Sequence, residues 1–303
     1  MVGAGWDKAG KAVRGLYALG FSGVEVGSVL AFPQEGNPKP RQFMIGPGVC
    51  LNNLGFNTPD EGLSEVARNL DRYIGSRIPI GISIGKNKNI EARLAPWLHA
   101  IVARRLYDHA SYFVINVSSP NTPGLRVLQD KGPLTDIVQA VNSVMDERGK
   151  RKPLFVKISP DLTFFALDDV IEVALNNKAG IIACNTTDNQ DIKGKYGQNW
   201  RNMPGGVSGD DLDYRAMVNE KIRHIRSQDK DIEIIGVGGV NSPETALEKM
   251  EEGANVIQVV TGIRSEGPSV ANKINRGIAR RMDRDGVKSV SEYTNLRHQN
   301  LAA

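Results

Sequence analysis

The stretch IEIIGVGGVNSPETALEKMEEGANVIQVVTG, residues 232–262, decides how the rest of the chain is read. An apolar run gives way to Gly238-Gly239, a helix pattern starts at Ser242-Pro243, and a second apolar run ends at Thr261-Gly262. Apolar runs without polar alternation mark parallel strands covered on both faces. A capping hydroxyl followed by Pro at the first helical position marks a helix start, because neither residue leaves an unsatisfied amide at the free helix end. The stretch is therefore one strand-helix-strand unit.

The same unit repeats towards the amino terminus. Apolar runs at 23–27, 78–85, 112–117, 154–158, 180–185, 232–236 and 255–261 predict seven strands. Helix patterns fill the intervals at 8–19, 59–74, 90–107, 134–148, 167–176, 214–227, 243–252 and 270–282, with Thr58-Pro59 as a second start signal of the Ser242-Pro243 kind. Eight helices and seven strands leave one strand to precede the first helix, and only Met1–Ala4 is available for it. The expectation is an α/β protein, a (β/α)8 (TIM) barrel whose first strand is cut to residues 1–4. The competing architecture, an open doubly wound sheet, lacks the GxGxxG turn between strand and helix. The 303 residues suit one large barrel domain over 1–303 with a carboxyl-terminal tail from about 284. Stretches 28–62 and 186–211 read as irregular loops following strands.

Composition narrows the function. Lys and Arg total 38 against 34 Asp and Glu, a net +4, and the charges are interspersed, which disfavours nucleic acid and suits an anionic small molecule. Cys50 and Cys184 match no metal or disulfide spacing, as in a reducing compartment. No run approaches the roughly 18 apolar residues that span a bilayer, and the first 20 residues are no signal peptide, so the chain as written is expected in the cytoplasm. No metal is expected, because His99, His109, His224 and His298 are not paired at ligand spacing. The same scarcity of His at strand ends leaves a Ser-His-Asp triad unsupported.

In such a barrel the active site lies at the carboxyl ends of the strands. Those positions carry Gly5 to Lys8, Ser28, Gly85-Lys86-Asn87, Ser118 to Asn121, Lys157, Asn185-Thr186-Thr187, Gly238-Gly239 and Thr261-Gly262. Any single Asn or Ser there serves equally as a turn or cap, but together they form a polar mouth. The bare amides after the last two strands predict a phosphate site, with two ordinary glycine turns as the alternative. Lys157 ends an apolar strand and needs a counter-charge: an anionic cofactor or substrate, or an internal ion pair with Glu25. Asn52, Asn116, Asn121 and Asn185 suit a flat heterocycle with amide edges.

On these residues the chain resembles dihydroorotate dehydrogenase, from Ala4 to about Arg281. The matching segments are AGWDK (4–8), PQEGNPKPR (33–41), NNLGFN (52–57), IGKNK (84–88), NVSSPNTPGLR (116–126), VKISPDLT (156–163), NTT (185–187), GGVSG (205–209) and GVGG (236–239). The resemblance implies a barrel binding flavin mononucleotide (FMN). Ser119 stands where class 1 enzymes look to have a cysteine, which implies the class 2, quinone-reducing type. It then implies that Ser119 takes a proton from carbon 5 of dihydroorotate while carbon 6 gives a hydride to the flavin. It places Lys8, Asn52, Asn116, Asn121, Asn185 and Thr186 on the substrate and Asn53, Leu54, Gly55 and Phe56 along the substrate pocket. It places Ala4, Gly5, Ser28, Ser83, Asn116, Lys157, Cys184, Gly209, Gly239, Val260 and Thr261 around the flavin. Four residues depart from the pattern: Ser83 for an Asn, Cys184 for a Thr, Val260 for a Tyr and Met44 for an Arg near the quinone. Class 2 members also carry an amino-terminal segment implying peripheral membrane association, and the chain as read begins after it. The competing functions are a degenerate barrel that binds a pyrimidine without turnover, and the same half-reaction with a soluble acceptor.

Overall fold

The computed structural model describes residues 1–122 and 124–298. Eight parallel strands form one sheet in the order β1 (Val2–Asp7), β2 (Val24–Val29), β5 (Ile80–Ile84), β6 (Tyr112–Asn116), β7 (Leu154–Lys157), β8 (Gly180–Ala183), β10 (Ile234–Val237) and β11 (Val256–Gln258). A parallel bridge between Val2 and Val259 joins the last strand to the first, with Gly3 N donating to the Val259 carbonyl at 3.1 Å and Val259 N to the Met1 carbonyl at 3.0 Å. The ring is closed, as the strand count predicts. Helices cover its outside, and the β-branched side chains between the two layers are almost fully buried, Val24, Val26, Ile80, Ile82, Ile181 and Ile234 among them. At about 25 cal/mol per Å² of apolar area, this continuous core is the main stabilising term.

The first strand is not cut short. It runs the full Val2–Asp7, three residues beyond the Met1–Ala4 stub expected from sequence. Gly3 and Gly5 break the apolar run that would have announced it, and Gly5 sits at φ +114°. The Asp7 carboxylate then accepts from Lys11 N (2.9 Å) and Ala12 N (2.8 Å), so the following helix starts only at Val13 and ends at Ala18, inside the predicted 8–19.

Thr58 is no helix cap. Its hydroxyl accepts from Leu30 N at 3.0 Å and its backbone pairs with Gln34, both loop contacts, and the helix begins at Gly62. The Ser242-Pro243 start holds: Ser242 accepts from Thr245 N, and the Thr245 hydroxyl accepts from Ser242 N at 3.0 Å, a reciprocal capping box.

The two stretches read as irregular contain a second sheet. Strands β3 (Gln42–Gly46), β4 (Val49–Asn52) and β9 (Gly206–Gly209) pair antiparallel in that order over the strand ends of the barrel. Thr261 is not in a strand; it opens a short helix, Thr261–Glu266, after β11 ends at Gln258. Within the expected tail, Val290–His298 is helical, and Tyr293 packs with Leu247, Met250 and Val287. No helix among the described residues is long and apolar enough to cross a membrane.

Candidate active site

The strand ends converge on one hydrogen-bonded mouth. Asn116, the last residue of β6, donates from Nδ2 to Ser28 Oγ at 2.8 Å, and Ser28 Oγ lies 2.8 Å from Ser83 Oγ. Asn116 Oδ1 accepts from Ser118 Oγ at 3.2 Å and from Asn185 Nδ2 at 3.3 Å, while Asn185 Nδ2 also reaches Ser118 Oγ at 3.0 Å. These five side chains, all buried but the half-buried Asn185, link the ends of β2, β5, β6 and β8, so each fixes its neighbour's rotamer. Ser119 is buried at 6% exposure, and its Oγ accepts from Asn121 N at 3.3 Å.

Among the buried atoms in this mouth with no partner are Asn52 Oδ1, Asn121 Oδ1 and Thr186 Oγ1. An unsatisfied buried polar atom costs about 1–3 kcal/mol, and proteins keep such atoms where a ligand completes them. Asn52 and Thr186 also line a concave cavity at the strand ends. Ala4, Lys157, Cys184, Asn185, Gly209, Gly239, Val260 and Thr261 line the same cavity. Gly238 and Gly239 (φ +115° and +72°) bound one side of it and Thr261-Gly262 the other, with Thr261 Oγ1 2.9 Å from Ser208 Oγ. This end offers backbone amides and hydroxyls, a donor set suited to a phosphate.

Lys8, just after β1, is tied to the segment that follows β4. Its ammonium donates to the Gly55 carbonyl at 3.1 Å and to Asn57 Oδ1 at 2.5 Å. Burial, and then the nearby Arg41 guanidinium, pull its pKa down to about 8. Arg41 donates to the Asn37 carbonyl at 3.0 Å, and Asn37 Nδ2 donates to Asn53 Oδ1 at 2.8 Å, so this loop is braced by its own polar groups. Cys184 is fully buried, and desolvation pushes its thiol up to about 12; it is an inert wall of the cavity rather than a nucleophile.

A family model described as dihydroorotate dehydrogenase matches residues 1–282. The chain belongs to the dihydroorotate dehydrogenase family. Two similar curated relatives are the dihydroorotate dehydrogenases (quinone) of Brucella ovis and Brucella melitensis, each 39% identical over 296 residues that make up 95% of this chain and 79% of the relative. The ferulenol complex of the Eimeria tenella enzyme superposes with a TM-score of 0.89 at 30% identity, covering 98% of this chain and 85% of that one. The ligand-free form of the Eimeria tenella enzyme gives 0.85 at 31% identity, over 95% and 86%. Dihydroorotate dehydrogenases are oxidoreductases.

Most residues named from sequence meet at this mouth, but not all stand free. Asn53 spends its side-chain oxygen on Asn37, Leu54 and Gly55 offer carbonyls to Asn37 N and Lys8, and Phe56 is 8% exposed in the core. Ser83 is wholly enclosed against Ser28. Lys157 Nζ lies 3.9 Å from Glu25 Oε1, so of the partners considered from sequence the internal carboxylate is present. Met44 lies outside the cavity on β3, 41% exposed and paired with Cys50. The Val260 carbonyl accepts from Trp6 Nε1 at 2.7 Å. Sequence reading passed over Gln258 and Tyr214. Gln258 is a fully buried amide that lines the cavity, and its signal was a polar residue inside the apolar run NVIQVVT. Tyr214 donates to the Asn185 carbonyl at 2.9 Å from a helix pattern that gave no hint of it. Among the described residues no cluster of three or more His, Cys, Asp or Glu could hold a metal.

Proposed function

We propose that this chain oxidises dihydroorotate to orotate, the family's step in pyrimidine biosynthesis, with FMN in the cavity at the strand ends and quinone as the final acceptor. The observation that carries this reading is the set of unpartnered buried atoms, Asn52 Oδ1, Asn121 Oδ1 and Thr186 Oγ1, around buried Ser119. Asn116 and Asn185, locked by Ser28 and Ser118, hold the amide edge of the substrate beside them. Lys8 takes the substrate carboxylate.

Ser119 Oγ removes the proton from carbon 5. A serine is a weak base at its free pKa, so its own hydroxyl proton must leave to water as Oγ takes the carbon-bound proton, and the Asn121 N–H aimed at Oγ stabilises the alkoxide character that this requires. Bound FMN supplies the two-electron acceptor for the hydride of carbon 6. The amides of Gly239 and Gly262 with the Thr261 hydroxyl would hold its phosphate, and Lys157, with Ser28 and Ser83, would serve its ring. Strands β4 and β9 roof the mouth.

Purified protein with a flavin absorption band that bleaches under anaerobic dihydroorotate supports this reading; colourless protein that FMN does not reconstitute overturns it. Re-oxidation in parallel with quinone, fumarate and a nicotinamide identifies the acceptor.

The Lys8 ammonium loses its charge as pH rises through about 8, and with it the attraction for the substrate carboxylate. Orotate affinity, followed by flavin spectral titration, is expected to be flat below pH 7 and to weaken on the order of tenfold per unit above pH 8. In Lys8→Arg, charged throughout, that slope disappears. A parent Kd unchanged from pH 6 to 9 removes Lys8 from the carboxylate site.

A further inference from the structure

Beneath the cavity, inside the ring of strands, lies a buried polar cluster centred on Glu25. Glu25 of β2 is 0% exposed. Gln258 of β11 donates from Nε2 to Glu25 Oε2 at 2.6 Å, and the Tyr112 hydroxyl of β6 donates to the same oxygen at 3.4 Å. Lys157 of β7 brings its ammonium to 3.9 Å from the other oxygen, Oε1, which has no hydrogen-bond partner.

All three neighbours are donors, which is the set an ionised carboxylate takes and a carboxylic acid does not. A carboxylate this deep is tolerated only with a counter-charge, and Lys157 is the cation in contact with it. The room for the cluster is built in at Gly81, where a Cβ would stand 2.1 Å from the Tyr112 ring. Burial and the adjacent Glu25 carboxylate hold the Tyr112 hydroxyl protonated, so it stays a donor.

Lys157 and Gln258 line the cavity, whereas Glu25 stands behind them. We propose that Glu25 is a positioning residue that holds Lys157 in place and, by opposing its field, sets the reduction potential of the flavin bound above. This rests on the reading that the cavity holds FMN beside Lys157. Two-electron reduction puts negative charge on the flavin ring. A lone ammonium beside the ring favours the reduced form, and a carboxylate directly behind that ammonium withdraws part of the advantage.

The test is the midpoint potential of the FMN-loaded protein, measured by dye equilibration, for the parent, Glu25→Gln, Glu25→Asp and Gln258→Met. Glu25→Gln keeps the size and removes the charge; reduced flavin is expected to bind about tenfold tighter relative to oxidised flavin, a rise of about 30 mV for a two-electron couple. Glu25→Asp retains the charge and should stay close to the parent. Gln258→Met removes a donor from the carboxylate, leaves its charge less compensated, and should lower the potential. Gln258→Met decides the matter should Glu25→Gln not fold. Parent potentials in both Glu25→Gln and Gln258→Met, with flavin bound, overturn the role of Glu25 and leave the dehydrogenase reading standing. A parent protein that takes no flavin overturns both.

Discussion

Replacing Ser119 with alanine is expected to slow the anaerobic bleaching of bound flavin by dihydroorotate by about 10²- to 10⁴-fold, the usual contribution of a positioned general base. The loss should appear in the rate and not in orotate affinity. Ser119 is buried at 6% exposure, and among the described residues its hydroxyl has one hydrogen-bond partner, the Asn121 backbone amide at 3.3 Å, so the hydroxyl is held for the reacting carbon rather than for the carboxylate or amide edges. No carboxylate or imidazole is hydrogen-bonded to Ser119 among the described residues that could take over the proton. Stopped-flow reduction of Ser119→Ala at the parent rate rejects the assignment. Loss of orotate binding instead of rate assigns Ser119 to substrate binding alone.

The second large effect is expected at Gly209. This glycine sits at φ +103°, and a Cβ there would stand 2.1 Å from the Gly48 carbonyl oxygen. Its strand, β9, pairs with β4 to roof the mouth, and the residue itself lines the cavity. Gly209→Val therefore imposes backbone strain and pushes the two roof strands apart, at a cost on the order of 3 kcal/mol. Drawn from cofactor binding, that is a loss of FMN affinity of about 10²-fold, read by flavin release on dilution. Gly286→Ala is the control: it also has positive φ, +69°, but nothing within 4 Å of the added carbon, and it ends the helix Val270–Asp285 far from the site. It should lower the melting temperature slightly and leave flavin affinity unchanged. Equal flavin affinity in both variants would mean that the roof strands are not part of the cofactor site.

The parts of the fold legible in sequence are those set by local pattern. A buried parallel strand must be apolar on both faces, so runs such as 112–117 and 180–185 announced themselves and were trimmed by only a residue or two. Ser242-Pro243 acted as a cap because both of its partners, the Thr245 amide and hydroxyl, lie three residues away. Thr58-Pro59 has the same local look, but its hydroxyl is claimed by Leu30, 28 residues distant, and nothing within the segment reveals that. Strand β1 was under-read for a related reason: its glycines suppress the apolar signal, and its place is secured by Val24 and Val259 from elsewhere in the chain.

The candidate site divides in the same way. Strand ends and residue types were open to reading, so Ser119, Lys8 and the four asparagines could be named from position and from family resemblance. Which of those groups are already occupied was a matter of three dimensions. Asn53 is spent on Asn37 while Asn52 and Asn121 keep unpartnered oxygens, and Lys157 has Glu25 within reach although the two stand 132 residues apart in sequence. The roof sheet is the extreme case, because β9 is the short, glycine-bounded Gly206–Gly209 and becomes a strand only by hydrogen bonding to β4. By itself the sequence determined the eightfold alternation and the chemistry available at the barrel mouth, because burial on both faces and helix capping act within a few residues. The tertiary structure decided which polar groups are left free for a ligand and what covers them, because hydrogen-bond partners and roof strands come from segments that meet only when the ring closes.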